Sequence, residues 1–221
     1  MQYRYEIISL PKSRNSKKYI KALTKTATVI LGGGVVLAPT DTVYGLLALA
    51  KSKRAIKKIQ RIKGREAIKP MPVLAKDMND IEKITKLSLS ASVFAKKIWP
   101  GQYTLVLVSK KKFPPGVVAR DGSVGVRVPG DKWMQDLLFA VGAPLVATSA
   151  NLSAHPQVKN IKQAILEFSK RQEMPDLFID GGVKYTKPSV VVDVRSRPFR
   201  ILRGDKRTTQ RLNKITSQIH A

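Results

Sequence analysis

The segment that most constrains this chain follows a short apolar run at Val35 to Ala38. That run is partly β-branched, which predicts a buried strand, and Pro39 removes a backbone donor and ends it. Thr40, Asp41, Thr42 and Tyr44 follow at once. Open α/β sheets bind ligands just beyond the carboxyl ends of their strands, so this polar segment is a candidate site. The alternative for this segment alone is an ordinary strand-to-helix turn capped by Asp41 or Thr42.

A second candidate is the segment Lys63-Gly64-Arg65. Ser52 is suited to cap a helix over Lys53–Lys63, and Gly64 is suited to end it. The two cations would then converge where the helix ends and could hold a triphosphate, with arginine binding oxygens in pairs and lysine acting as a point charge. Cations at a helix C-terminus also interact favourably with the helix dipole, which is the alternative explanation.

Two further strands carry polar residues at one end. Arg127 interrupts the apolar strand Val124–Val128, and a charge there must be paired, exposed or directed into a cleft. Thr148, Ser149 and Asn151 follow the strand predicted at 145–148 and supply hydroxyl and amide groups, although they are also ordinary turn residues. Together with the first two segments, they predict a site lined by hydroxyls, an amide and cations at the ends of strands.

Periodicity predicts an α/β protein with a mixed, open sheet and flanking helices. Helices are predicted at Ser16–Leu31, Lys53–Lys63, Asp77–Leu87, Ser90–Ile98, Asp131–Val141, Ile161–Arg171 and Asp205–Ile219. Further strands are predicted at Tyr103–Val108, Val124–Val128, Leu145–Thr148, Leu177–Ile179, Val190–Val194 and Phe199–Leu202.

Composition excludes several classes of site. The 221 residues are 43% hydrophobic, which suits one domain over 1–221, with residues 1–15 expected to be loosely ordered. The sequence has no cysteine and two histidines, which excludes disulfides, thiolate sites and a histidine-rich metal centre. It shows no apolar run of membrane-spanning length and no signal peptide, so we expect a cytoplasmic protein.

The net charge of +26 is far larger than one anionic substrate requires. Lys and Arg are concentrated in two stretches, 51–65 and 195–214, each with eight of them. Such charge attracts polyanions, but it is equally typical of solvated lysine-rich surfaces. Aromatic residues are only 6% of the chain, which argues against base recognition by stacking.

In order along the chain, these segments resemble the motifs of the YrdC-like threonylcarbamoyl-AMP synthases. The resemblance extends from about Ala27 to Arg211 and matches the short, single-domain members of the family. It implies a twisted, open α/β sheet with a concave, positively charged pocket. The matching motifs are PTDTVYGL, KGR with KPMPVL, WPGQYTLVL, VGVRVP, ATSANLS, DGG, PSVVVDV and ILRGD.

The resemblance implies a nucleotidyltransferase that forms threonylcarbamoyl-AMP and pyrophosphate from L-threonine, bicarbonate or CO2, and ATP. Mg2+ would be carried with the ATP. The product would pass to the machinery that transfers the threonylcarbamoyl group to tRNA, and tRNA itself is a candidate partner.

The resemblance also assigns roles to individual positions. Leu74 stands where some relatives have histidine, and Val190 stands where threonine is common, so two polar groups of the threonine pocket are absent. Ser149 has no histidine partner and is interpreted as a hydrogen-bonding residue. The implied catalytic residues are Lys63 and Arg65; the implied threonine-binding residues are Thr42, Tyr44, Arg127 and Ser189; the implied ATP-binding residues are Lys63, Arg65, Lys69, Ser123, Ser149, Asn151 and Arg203. No metal ligand is implied.

Two alternatives stay open at this level. One is a non-catalytic RNA- or ribosome-binding protein with the same fold, which the charge alone would favour. The other is a carbamoyl-transfer module like those within hydrogenase-maturation proteins, although the zinc-finger and acylphosphatase segments of those proteins are not found in this sequence.

Overall fold

A computed structural model describes residues 5–64, 70–152, 155–169, 171 and 173–220, and within these it contains seven helices and eleven strands. The strands are β1 (Glu6–Ser9), β2 (Val36–Ala38), β3 (Gly45–Leu49), β4 (Val73–Leu74), β5 (Thr85–Lys86), β6 (Tyr103–Ser109), β7 (Ser123–Arg127), β8 (Leu145–Ser149), β9 (Leu177–Asp180), β10 (Val190–Asp193) and β11 (Arg200–Arg203). The helices are α1 (Lys17–Leu31), α2 (Lys53–Ile62), α3 (Met78–Ile84), α4 (Leu89–Ile98), α5 (Lys132–Val141), α6 (Ile161–Phe168) and α7 (Lys206–His220).

All eleven strands join one mixed sheet in the order β1-β9-β2-β3-β8-β4-β7-β6-β10-β11, with β5 attached to β6. The pairs β1–β9, β9–β2, β4–β7 and β6–β10 are parallel. The remaining pairs are antiparallel. The predicted mixed, open sheet with flanking helices is therefore confirmed.

The helices bury apolar surface on both faces of this sheet. Side chains of α1 and α5 pack with Val36 and Ala38 on one face. Leu37, between them in the same strand, points to the other face and packs with the core that includes α2, α4 and α6. This alternation is the period of two expected for a strand buried on both sides.

Six of the helices begin with the same local device. A Ser, Asp or Asn side chain accepts a hydrogen bond from the backbone N–H three residues later, which satisfies one of the unpaired donors of the first turn. The capping residues of these six helices are Ser16, Ser52, Asp77, Ser88, Asp131 and Asn160. The seventh helix, α7, has the same cap, because Asp205 Oδ1 accepts a hydrogen bond of 2.9 Å from the Thr208 N–H.

Three features differ from the sequence-based predictions. The polar segment after Pro39 does not lead into a helix but connects β2 to the antiparallel strand β3. Glu6–Ser9, expected to be loosely ordered, forms an edge strand parallel to β9. The short strands β4 and β5 were also not predicted. None of the described helices combines the length and the apolar character that crossing a membrane requires.

Candidate active site

A cavity of about 240 Å³ lies where the β2–β3 connection meets the ends of β7 and β8. Polar and apolar residues both contribute to its wall. The polar ones include Thr40, Thr42, Thr104, Arg127, Thr148, Ser149, Gln157, Ser189 and Arg203, and the apolar ones include Val43, Pro70, Pro72, Leu74, Ala147 and Pro188.

Arg127 is the buried cation of this wall, with only 5% of its surface exposed. Its Nη2 lies 3.0 Å from Asp41 Oδ1, and its Nη1 donates a hydrogen bond of 3.2 Å to Thr42 Oγ1. Its buried Nε has no hydrogen-bond partner among the described residues, and its contact with Asp41 is an ion pair through Nη2. Burial lowers the pKa of Arg127, while Asp41 and Asp131 oppose that effect. A guanidinium has five N–H donors, so Arg127 retains donors for an anion in the cavity.

Asp41 joins three segments around Arg127. Its Oδ2 accepts a hydrogen bond of 3.0 Å from the backbone N–H of Gly130, and its carbonyl accepts one from the Gln102 side chain. Within the same loop, Thr40 Oγ1 donates to the carbonyl of Val43 at 2.7 Å. The two hydroxyls that this loop contributes to the cavity, those of Thr40 and Thr42, are therefore held by hydrogen bonds within the loop.

Ser189 and Arg203 form the opposite wall. Arg203 donates from Nε to the carbonyl of Ser189 at 2.9 Å and from Nη2 to its Oγ at 3.1 Å. Thr104 Oγ1 donates to the same Ser189 Oγ at 2.9 Å. Burial lowers the pKa of Arg203. Beyond this wall lies a second cavity of about 240 Å³, lined by residues that include Val190, Lys187 and Asp205.

Lys63 is not the exposed cleft cation that the sequence suggested. It is 2% exposed, it is not one of the residues that line the cavity, and its Nζ donates to the carbonyls of Ser149 and Asn151, the latter at 2.7 Å. The reason is helical register: Lys63 lies four residues after Ile59 and seven after Ile56, both fully buried. The periodicity of α2 therefore already placed Lys63 on the buried face.

Three other predicted site residues also lie outside the cavity wall, namely Tyr44, Asn151 and Ser123. Tyr44 is fully buried, and its hydroxyl donates to the carbonyl of Gly182 at 2.7 Å and accepts from the N–H of Gly181 at 2.9 Å. This burial raises the pKa of Tyr44 to about 12. Asn151 uses its side-chain amide to donate to the carbonyls of Leu152 and His155, at 3.0 and 2.6 Å.

Ser123 begins β7, at the opposite end of that strand from Arg127, and donates to Asp121 Oδ1 at 2.7 Å. At about 3.3 Å per residue, the backbone of Ser123 lies roughly 13 Å along β7 from that of Arg127. The remaining predicted ATP-binding residues, Arg65 and Lys69, lie outside the described residues.

The structure brings together Thr42, Arg127, Ser149, Ser189 and Arg203 as predicted neighbours. It adds Thr104 and Gln157 to the wall, neither of which the sequence analysis named, and it pairs Arg127 with Asp41, which that analysis named only within the polar segment after Pro39. Thr104 had a detectable signal, because it is a polar residue in the otherwise apolar run of β6 and is 3% exposed. Among the described residues, no group of three or more His, Asp or Glu is arranged to hold a metal ion.

Comparison with known proteins gives this arrangement a family. The family model Sua5_yciO_yrdC, described as telomere recombination, matches residues 28–204. A putative threonylcarbamoyl-AMP synthase of Methanocaldococcus jannaschii is 35% identical over 179 residues, which cover 80% of this chain and 81% of that protein. The threonylcarbamoyl-AMP synthase of Bos taurus is 32% identical over 164 residues, covering 74% of this chain and 58% of the bovine protein.

A solved structure supports the same relationship. Sua5 of P. abyssi, complexed with L-threonine, superposes with a TM-score of 0.82 and 28% identity over 93% of this chain, which spans 60% of that protein. Because the family model matches most of the chain and the sheet superposes on a solved member, the chain belongs to the Sua5/YciO/YrdC family.

Proposed function

We propose that this protein is an L-threonylcarbamoyladenylate synthase, a nucleotidyltransferase that uses L-threonine, bicarbonate or CO2, and ATP. The observation that carries the proposal is Arg127, a buried guanidinium with unpaired donors at the wall of a cavity rich in hydroxyls. Relatives named for this activity and the L-threonine complex of Sua5 support it.

In this proposal, L-threonine occupies the part of the cavity between Arg127 and Ser189. Its carboxylate would accept hydrogen bonds from the unpaired donors of Arg127, and a guanidinium binds carboxylates in pairs of hydrogen bonds. Thr42 and Ser189 would contribute hydroxyls to the amino acid, while Leu74, which is 1% exposed, would provide an apolar wall.

ATP would extend from the threonine site toward Ser149 and Arg203. Arg203 lines both cavities. Burial lowers its pKa and no carboxylate among the described residues opposes that effect, so its guanidinium is suited to bind phosphate oxygens. We assign Arg65 and Lys69 to the phosphates from the sequence resemblance. Mg2+ would arrive as the ATP complex, because phosphate oxygens are its preferred ligands.

The reaction has two steps that this site would favour by position and charge. The neutral amine of threonine attacks CO2 and loses a proton, which forms a carbamate. A carbamate oxygen then attacks the α-phosphorus of ATP, the bond between that phosphorus and the bridging oxygen breaks, and pyrophosphate leaves. Nearby cations lower the pKa of the amine and stabilise the negative charge in both steps. No covalent intermediate with the protein is required.

We place this reaction in the cytoplasm and infer that the labile product passes to the transferase that modifies tRNA.

The second candidate function is RNA binding without synthase activity, which the net charge of +26 favours. The site itself favours the enzyme, because a binding protein would not need a buried arginine with unpaired donors facing a small cavity.

The test is pyrophosphate release from ATP, measured with no RNA present and with L-threonine and bicarbonate supplied singly or together. The synthase requires both co-substrates for release. Release that is independent of threonine, or no release from folded protein that binds RNA in a salt-sensitive manner, would contradict the proposal.

A further inference from the structure

The buried ammonium group of Lys63 has no place in the cavity wall, yet it contacts the backbone of a segment that does. We propose that Lys63 is a positioning residue that fixes the turn Ser149–Asn151 beneath the phosphate-binding part of the cavity. That the bound anion is a phosphate of ATP rests on the proposed function. That Lys63 fixes the turn does not depend on it.

Two contacts of Lys63 are to backbone carbonyls at the two ends of the turn. Its Nζ donates to the carbonyls of Ser149 and Asn151. Lysine is rarely buried to this degree unless its ammonium group is satisfied by partners. Removing the ammonium would leave buried carbonyls without that donor, which makes the present turn conformation unfavourable.

Other hydrogen bonds define the same turn. The N–H of Ala150 donates to the carbonyl of Tyr44 at 2.8 Å, and the N–H of Asn151 donates to the carbonyl of Ser149 at 2.9 Å. The turn is thus attached to the β2–β3 connection on one side and to α2, through Lys63, on the other.

This arrangement controls which backbone atoms face the cavity. Ser149 lines the cavity and Lys63 does not, so the ammonium group contacts a residue of the wall without being part of the wall. Because the carbonyls of Ser149 and Asn151 point to Lys63, their negative ends are directed away from an anion in the cavity. A site in which the dipoles are already oriented binds a phosphate without reorganising.

The first experiment compares Lys63→Met with Lys57→Met, an exposed lysine of the same helix. In the absence of ATP, we expect amide hydrogen exchange at Ala150 and Asn151 to be at least tenfold faster in Lys63→Met, with no change in Lys57→Met or in β6 and β7. If the protein releases pyrophosphate as proposed, the KM for ATP should rise at least tenfold in Lys63→Met, and the KM for L-threonine should stay within threefold.

Unchanged exchange at the turn in folded Lys63→Met would overturn the proposal, whatever its activity. An unchanged KM for ATP in an active Lys63→Met protein would also overturn it. If no protein of this sequence releases pyrophosphate, the proposed function fails, and the exchange measurement still decides whether Lys63 fixes the turn.

A measurement on the wild-type protein applies even if Lys63→Met does not fold. Acylation of lysine amines, followed by peptide mass analysis, should modify Lys63 at least tenfold more slowly than Lys57 in the absence of ATP. Equal rates without ATP, with Lys63 protected when ATP is added, would identify Lys63 as an exposed phosphate ligand and overturn the positioning role.

Discussion

Arg127 and Arg203 line the same cavity but are held in different ways. Arg127 lies against a carboxylate, Asp41, and is 5% exposed. Arg203 donates to Ser189, a neutral residue, and keeps part of its surface exposed. An arginine next to a carboxylate presents less net positive charge to a ligand than one bound to a hydroxyl and a carbonyl. Arg203 is therefore the better position at which to test phosphate binding.

We expect Arg203→Met to lower kcat/KM for ATP by at least tenfold, because it removes a cation and its N–H donors from the cavity wall. The control is Arg200→Met in the same strand, whose arginine side chain is 69% exposed and lies 3.8 Å from Asp193. Initial rates of pyrophosphate release give both values. A similar loss in the two variants would indicate a general effect of charge instead of a role for Arg203.

Asp131, which caps α5, gives a prediction about pH. Burial, followed by the nearby charge of Asp41, raises the pKa of Asp131 to about 6, although its hydrogen bond from Met134 N–H opposes this. At pH values between the usual pKa of an aspartate and 6, the folded state holds the Asp131 proton more tightly than the unfolded chain does. This carboxyl group therefore lowers the free energy of unfolding as the pH rises through that window.

Asp131→Asn keeps a capping oxygen and removes the charge. We expect its free energy of unfolding, relative to wild type, to increase by up to about 3 kcal/mol from pH 4 to pH 7. Urea unfolding of both proteins at several pH values measures the difference. A difference that does not change with pH would contradict the assignment of this pKa.

Several predicted site residues lie outside the cavity wall for one common reason. The side chains of neighbouring residues in a motif can point in different directions, and the motif alone does not show the direction of each one. Tyr44 lies two residues from Thr42, but its hydroxyl binds the Gly181–Gly182 backbone and not the cavity. Ser123 directly precedes the motif that contains Arg127, yet the two residues lie at opposite ends of β7.

At the scale of elements, the long helices were predicted to within a few residues, because caps and apolar periodicity mark them directly. The misses were strands. β4 and β5 have two residues each, too few to show any period. β3 is apolar throughout, so it shows no alternation that would reveal its direction or its partners. It pairs with β2 on one side and with β8 on the other, and β8 is distant in sequence.

The C-terminal helix gives a prediction at this scale. Helix α7 packs against α4, and Leu212 is 1% exposed within the larger core. We expect Leu212→Ala to lower the free energy of unfolding by about 2–5 kcal/mol, because it removes buried methyl groups and leaves a cavity. Leu202→Ala, at a position 57% exposed, is the matched control and should change stability by less than about 1 kcal/mol. Equal losses in urea unfolding would mean that α7 does not contribute to the core as described.

On the scale of the whole molecule, the net charge of +26 exceeds anything that one small cavity requires. Charge of this magnitude attracts polyanions irrespective of their sequence, with release of counterions. The sequence showed the charge but gave no motif for base recognition, and the described cavity involves only two arginines.

We therefore expect unrelated RNA sequences of equal length to bind with similar affinity, and that affinity to fall at least tenfold between 50 and 200 mM salt. Fluorescence anisotropy with two such RNAs measures both effects, and an uncharged peptide nucleic acid of the same sequence is the control. Strong preference for one RNA, or binding that salt does not weaken, would indicate a specific site instead.

The cavity is assembled from segments that the ribosome makes far apart in time. Its wall includes Thr40 and Arg203, which are far apart in the sequence, with Arg127 and Ser149 between them. A nascent chain that has not yet released Arg203 from the exit tunnel lacks one wall of the pocket. The protein consequently cannot gain its ligand-binding capacity in stages during synthesis, and substrate can assist folding only after the segment that carries Arg203 has left the tunnel.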